Sequence, residues 1–249
     1  MVEYSQVRGL ETWKPSRKEE LIQVIETCPR DANLSFIDVS GITDMSNLFG
    51  YSAFEGDISR WDVSHVTNMR SMFLGSPFNG DISHWDVSHV TNMRGMFFNS
   101  RFNGDISRWD VSRVRNMRYM FTESSFIGDI SDWDVSNVEK MDSMFYKARF
   151  NDDISRWDVS NVRDMSSMFY DSDFNGDISE WDVSKVEDMQ YMFARSHFNG
   201  DISHWDVSNV RDMNLIFYLS RFDGDISKWK FYDENVKRQA VESLGDRIR

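Results

Sequence analysis

Only one cysteine, Cys28, occurs in 249 residues, so no disulfide can close within the chain and no Cys-based metal site can form. Positive charge is also scarce. Lys plus Arg number 28 against 41 Asp plus Glu, a formal charge of -13 with an isoelectric point near 4.8, which argues against a groove for duplex nucleic acid because neutralising phosphates takes a cationic face. Long apolar runs are missing: no segment approaches the roughly 18 residues of a membrane span, and the start, MVEYSQVRGLETWKP, lacks the basic region and apolar stretch of an export signal. The expectation is a cytoplasmic protein without membrane insertion, with the cell surface as the alternative should the true start lie upstream. No GxGxxG, GxxxxGK[ST] or GxSxG motif occurs, so phosphate-cradling loops and a nucleophile elbow are absent from the pattern.

What is abundant is apolar and aromatic material, 40% and 14% of residues, enough to exclude a disordered chain. It is arranged with a strict period. Trp61, Trp85, Trp109, Trp133, Trp157, Trp181, Trp205 and Trp229 follow one another at intervals of 24 residues. Aligned on this column, the unit reads WDVSxVxxMxxMFxxSxFNGDISx, and a unit with Ile37 in the tryptophan position precedes them, giving eight full units from Ile37 to Lys228. Fourteen of the 15 Met fall in two columns and 16 of the 19 Phe in two others. A period of this size without insertions implies stacked coils in which each unit buries its apolar face against its neighbours.

Two shorter periods are visible within a unit. Segments such as Ile82-Ser83-His84-Trp85-Asp86-Val87 match LxxLxL, the strand pattern of leucine-rich repeats, and nine segments between Leu34 and Phe231 fit it. Val90, Met93, Met96 and Phe97 then follow a helical spacing, with Ser88 placed as an N-cap and Ser136 with Glu139, and Ser184 with Glu187, placed as capping boxes. The pattern predicts an α/β solenoid, a leucine-rich-repeat-like horseshoe with parallel strands on the concave face and helices of two to three turns on the convex face. Strands stacking at about 4.8 Å against helices packing at about 8 to 10 Å would generate the curvature. Residues 1–33 read as an N-terminal helical cap carrying Leu21, Ile22, Ile25 and Cys28 before Pro29, residues 34–231 as the solenoid with a ninth strand, and residues 232–249 as a C-terminal helical cap with Val236, Ala240, Val241, Leu244 and Ile248. Closed ends of this kind lead to the expectation of a complete protein.

The unit FNGDISxWDVSxVTNMxxMF, and the lead-in LSFIDVSGITDMSNLF, closely resemble the repeats of the BspA-like leucine-rich repeat surface proteins, a family that includes mycoplasma-type lipoprotein repeats. The resemblance covers residues 34 to 231. It implies a leucine-rich-repeat-like solenoid with a binding or adhesion role, often at a cell surface, and carries no catalytic residues. Against the surface role that the resemblance implies, the sequence leads to the expectation of a chain without a leader, a lipid-attachment cysteine or a wall anchor.

Two aspartate columns are the first places to look for chemistry: one follows Trp (Asp62, Asp86, Asp110 and their equivalents) and one follows the turn glycine (Asp57, Asp81, Asp105 and theirs). Paired carboxylates can bind calcium or move protons, but every coil carries the same pair, and an Asp beside a turn more simply accepts backbone N–H bonds. His84, Asp86 and His89, with His65 nearby, form the candidate set for a transition metal, although these are freely varying positions and no metal or cofactor is expected. The indole N–H groups are expected to find the Ser or Asp columns.

Specificity should lie where coils differ. The residue before Trp reads Arg60, His84, Arg108, Asp132, Arg156, Glu180, His204 and Lys228; the residue after the serine reads His65, His89, Arg113, Asn137, Asn161, Lys185 and Asn209, with Gly41 in the first unit. On the expected outward helix face Arg70, Arg94 and Arg118 give way to Asp142, Asp164, Glu187 and Asp188, so charge is bipolar along the chain. These positions lead to the expectation of a non-enzymatic scaffold that recognises a protein partner of unknown identity through its strand face. A BspA-like adhesin and an acidic inhibitor or decoy of a basic protein are the alternatives.

Overall fold

The computed structural model describes residues 1–245. The 24-residue period is the period of a physical coil: bridges join residues one unit apart in a parallel sense, running without a break through Asp44, Asn68, Asn92, Asn116, Lys140, Asp164, Asp188 and Asp212. The coil itself differs from the α/β horseshoe. Among the described residues no strand longer than an isolated bridge is present, and helix is confined to α1 (Tyr4–Val7), α2 (Lys18–Thr27) and α3 (Glu234–Ser243). The described residues form neither a parallel sheet on a concave face nor a convex layer of helices, and with no helical layer to splay, the reason for a horseshoe curvature disappears.

Turns take the place of both elements. In the coil that starts at Ile58, backbone N–H groups close four-residue turns from Trp61 to Ile58, Val66 to Val63, Met72 to Met69, Leu74 to Ser71 and Ser76 to Phe73, at 2.9–3.2 Å. The segment expected as a strand is therefore bent twice. Asp57 accepts the Ser59 N–H at 2.9 Å and Asp62 accepts the Ser64 N–H at 3.1 Å, the side-chain-to-backbone bonding by which Asp competes with extended structure. The segment expected as a helix is interrupted every fourth residue by a left-handed backbone. Asn47, Ser71, Gly95 and Tyr119 form one such column, with φ of 54° to 60°, and Tyr51, Gly75, Asn99 and Glu123 another, with φ of 50° to 62°. A positive φ at the third position is the mark of a type II turn and cannot be propagated as an α-helix. The N–H groups freed in this way reach the next coil: Met69 to Asn92, Ser71 to Arg94, Phe73 to Met96 and Gly75 to Phe98, at 2.8–2.9 Å. Ser88, Ser136 and Ser184 are not helix caps; each donates its N–H to the Asp two residues before it.

Inside the coils the repeated columns become stacks. Phe49, Phe73, Phe97 and the successive members to Phe217 lie 5.4 to 6.0 Å apart, centroid to centroid. The second phenylalanine column, from Phe54 to Phe222, steps by 6.2 to 6.4 Å. The Trp, Met, Ile and Val columns are buried with them, so each coil gives its neighbours several apolar side chains worth roughly 1.5–3 kcal/mol apiece. Each repeat indole donates to a backbone carbonyl 27 residues earlier, from Trp61 to Leu34 through Trp229 to Ile202, at 2.9–3.3 Å. The Ser and Asp columns expected in that role are occupied with their own turns.

At the ends, α2 buries Leu21, Val24 and Ile25, with Ile22 and Cys28 partly buried against the same core. Its first residue follows Arg17, and the Ser16 N–H donates to Glu20. Helix α3 begins after Asp233, which accepts the Val236 N–H at 2.9 Å, and buries Val236 and Ala240 while Val241 stays exposed. Its Gln239 and Ser243 side chains accept the N–H groups of Met213 and Phe217, donors that in earlier coils are met by the next repeat. Ile248 lies outside the described residues.

Candidate binding face

Two of the five turns create an exposed strip along the stack. In the turn from Ile82 to Trp85 the third residue is His84, and in the turn from Val87 to Val90 it is His89; the same holds in every coil. The variable residues thus stand at the corners of turns whose ends are buried apolar side chains. Arg60, His84, Arg108, Asp132, Arg156, Glu180, His204 and Lys228 are all exposed, as are His65, His89, Arg113, Asn137, Asn161, Lys185 and Asn209. The Asp column that follows Trp is exposed between them.

These residues do not stand equally free. Asn137, Asn161 and Asn209 donate their side-chain amides to the carbonyls of Ser112, Ser136 and Ser184 in the preceding coil, at 2.7–2.8 Å. Lys185 donates to Asn161 at 2.8 Å, and Arg156 pairs with Asp132 at 2.7 Å. His65 is bonded through Nδ1 to the neighbouring Ser64 hydroxyl. Arg60, His84, Arg108, Arg113, Glu180, His204 and Lys228 make no such bond with the described residues, so their charge and hydrogen-bonding capacity is available to a partner.

The aspartates between them are acceptors already in use. The Ser40 hydroxyl, the Lys14 ammonium and the Ser40 N–H together hold the Asp38 carboxyl down to about 2. The Ser64, Ser88 and Ser184 hydroxyls and N–H groups lower Asp62, Asp86 and Asp182. Backbone N–H groups and then hydroxyls of the following serines lower Asp81, Asp105, Asp129, Asp153, Asp201 and Asp225. A general acid or base works best with a pKa near the operating pH, and these groups move the opposite way. Their geometry suits fixing a turn. Nor are His65, His84, Asp86 and His89 brought together: among the described residues no group of three or more His, Cys, Asp or Glu is placed to hold a metal ion.

Two further features were missed by a reading that placed this region on helices. Arg115, Glu139, Arg163, Glu187 and Arg211 occupy one column with alternating sign, and pairs form from Arg115 to Glu139 at 2.9 Å and from Arg163 to Glu187 at 3.1 Å. Arg163, Glu187 and Arg211 line a depression of about 200 Å³ with Lys185 and Asn209 of the strip. A broader groove of about 640 Å³ crosses the first coils, lined by Arg30, Tyr51, Pro77, Arg101 and Glu123 among others. The alternation of Arg and Glu at intervals of 24 is the signal that could have found the first.

The family model described as Mycoplasma protein of unknown function, DUF285, matches residues 19–126, 98–195 and 149–243. No curated protein and no solved structure matches the chain.

Proposed function

We propose that this chain, which belongs to the family of mycoplasma proteins of unknown function DUF285, is a non-enzymatic scaffold that binds a protein partner along the strip of turn corners from Arg60 to Lys228. One observation carries the reading: within each coil the buried and turn-fixing columns repeat, while the exposed third positions of two adjacent turns change from coil to coil. Residues that build the coil are interchangeable among coils, so variation confined to the outer corners is where a partner would be told apart. Arg60, Arg108 and Arg113 are exposed and make no ion pair with the described residues, and Arg156 needs only to leave an exposed pair with Asp132. Arg side chains are enriched among the residues that dominate binding energy.

The resemblance of the WDVS and FNGDIS motifs to BspA-like surface proteins favours a second version of the same reading, in which the partner is an extracellular or host protein and the chain acts as an adhesin. The experiment for both is affinity capture from native and host lysates. The expected result is one or more proteins retained by the wild-type chain and lost when Arg60, Arg108, Arg113 and Arg156 are together reversed to Glu. Capture that is unchanged in that variant sinks the assignment of the face. Capture of only basic proteins, abolished by salt and indifferent to the four arginines, would instead mark an acidic decoy.

A further inference from the structure

In several outer columns of this protein charge alternates from coil to coil, so that neighbours pair within the chain: Glu123 with Lys147, Asp132 with Arg156, Asp171 with Arg195. Two neighbouring columns neither alternate nor, like the columns after Trp and after the turn glycine, stay uniformly acidic: they segregate sign along the chain. One holds Arg70, Arg94 and Arg118 in consecutive coils; the other, two positions earlier in the repeat, holds Asp164, Asp188 and Asp212 in consecutive coils. Like charges one coil apart repel, which adds to the effect of burial at the middle aspartate. Asp188 is pushed up by burial and by the carboxylates of Asp164 and Asp212 on either side, against the Gln190 N–H that lowers it.

The turns do not require this arrangement. The side chain at the earlier position accepts the N–H two residues on, and Asn performs the task as well as Asp: Asn68, Asn92 and Asn116 accept from Arg70, Arg94 and Arg118 at 3.1 Å, while Asp164, Asp188 and Asp212 accept from Ser166, Gln190 and Asn214 at 2.8–3.1 Å. The segregation of sign is therefore left without a folding reason. Arg70 and Arg94 make no ion pair with the described residues, and neither do Asp164, Asp188 and Asp212. Arg94 and Arg118 sit over the Tyr119 ring at 5.5 and 5.7 Å, which holds two guanidinium groups outward beside a half-buried aromatic side chain.

We infer that this strip is the contact between two copies of the chain, docked antiparallel about a two-fold axis near Met141. Arg118 and Asp164, Arg94 and Asp188, and Arg70 and Asp212 each lie equally far from Met141 along the chain. An antiparallel second copy has the same repeat spacing, so it brings all three pairs into register at once and, by symmetry, repeats them in the other half. That is the requirement of an isologous interface. A partner with a different spacing would lose register after one or two coils. Arg118 keeps its bond to the buried Asp142 at 2.7 Å and has further N–H groups to offer Asp164 of a second copy. The inference goes beyond the proposed function, since it uses different turns from the strip between Arg60 and Lys228.

Sedimentation velocity of the full chain tests it. At low salt the wild type should dimerise, and raising the salt to about 0.5 M should weaken the dimer by about tenfold or more, because exposed charge pairs are screened. Arg70→Glu with Arg94→Glu should be monomeric, and so should Asp188→Lys with Asp212→Lys. Lys140 already occupies the latter column, so the second variant is compatible with the coil. Mixing the two variants should restore a dimer, now heteromeric, since each carries the charges the other needs. A wild type that stays monomeric at several hundred micromolar, a dimer indifferent to both double variants, or a mixture that fails to associate would overturn the inference. So would a monomer that takes up an acidic peptide across Arg70 and Arg94 instead.

Discussion

The indole N–H of Trp109 donates to the carbonyl of Ile82 at 3.1 Å, and the same oxygen accepts the Trp85 N–H at 3.2 Å to close the turn beneath it. One carbonyl thus ties a turn in its own coil to the ring of the next, and the arrangement recurs at every tryptophan of the repeat. Trp109→Phe keeps the stack but removes the second bond and leaves some volume empty, at a cost of about 2 kcal/mol. Phe121→Ala opens a larger hole between two ring neighbours and should cost about 3–5 kcal/mol. Urea unfolding of the two variants should show this order.

Asp86 accepts the Ser88 N–H at 3.0 Å, a task that a neutral side-chain oxygen can largely perform, as Asn92 shows one turn later, with the negative charge adding a smaller share. Asp86→Ala should lose about 1 kcal/mol of stability, whereas Asp86→Asn should lose much less. A carboxylate used in catalysis or in calcium binding would respond to both changes alike, so thermal melts of the pair, with and without calcium, separate a turn-fixing role from a chemical one.

Asparagine side chains also link coils directly. Asn79 accepts the Asn103 N–H at 2.8 Å, and Asn103 accepts that of Ile127. At Ile127 the column is interrupted by a side chain that is 56% exposed and offers nothing to Asn151 in the next coil. Ile127→Asn should restore the missing acceptor and raise stability by about 0.5–1.5 kcal/mol. A variant less stable than wild type would show that Ile127 contributes more by packing than the column would by bonding.

The aspartates make stability depend on pH in two opposing senses. Asp38, Asp62, Asp86, Asp81, Asp105, Asp129, Asp153, Asp201 and Asp225 are lowered in the fold, so their contribution is complete above the ordinary carboxylate range, about 3.9, and is lost as pH falls through their folded values. Asp142 and Asp188 are raised, chiefly by burial; ionised, they weigh against the fold, and the penalty is relieved as pH falls from their folded values toward the ordinary range. Lowered groups outnumber raised ones, so unfolding midpoints should be level from about pH 6 to 8 and fall below about pH 4. Asp188→Asn, measured at low micromolar concentration, should stabilise at pH 7 and have no effect at pH 3.

The period of 24 and the identity of the buried columns were legible in the sequence because burial selects the same residue types whatever the backbone does between them. The backbone was not. Ile82-Ser83-His84-Trp85-Asp86-Val87 alternates like a strand of a leucine-rich repeat, yet Asp81 and Asp86 each capture a serine N–H two residues on and bend it into turns. Met93, Met96 and Phe97 have the spacing of a helix face, and overlapping four-residue turns place inward residues at the same three- and four-residue steps. The signal that separates the two readings lay in Gly95, Asn47, Gly75 and Asn99, residues suited to a left-handed backbone and out of place at the centre of a helix. The positions from Arg60 to Lys228 were legible as varying between coils whichever element carries them, and the structure places them at exposed turn corners. The strip from Arg70 to Asp212 was read as the outer face of a helix, where its charges had no register to obey.

The most direct test of the coil as a stack of turns is the backbone chemical shifts and HN–Hα couplings of residues 90 to 100 in the labelled protein. A stack of turns gives left-handed values at Gly95 and Asn99, with the Met93, Gly95, Phe97 and Asn99 amides protected from exchange by carbonyls of the following coil. Four or more consecutive residues with right-handed helical shifts between Val90 and Phe98 would contradict it.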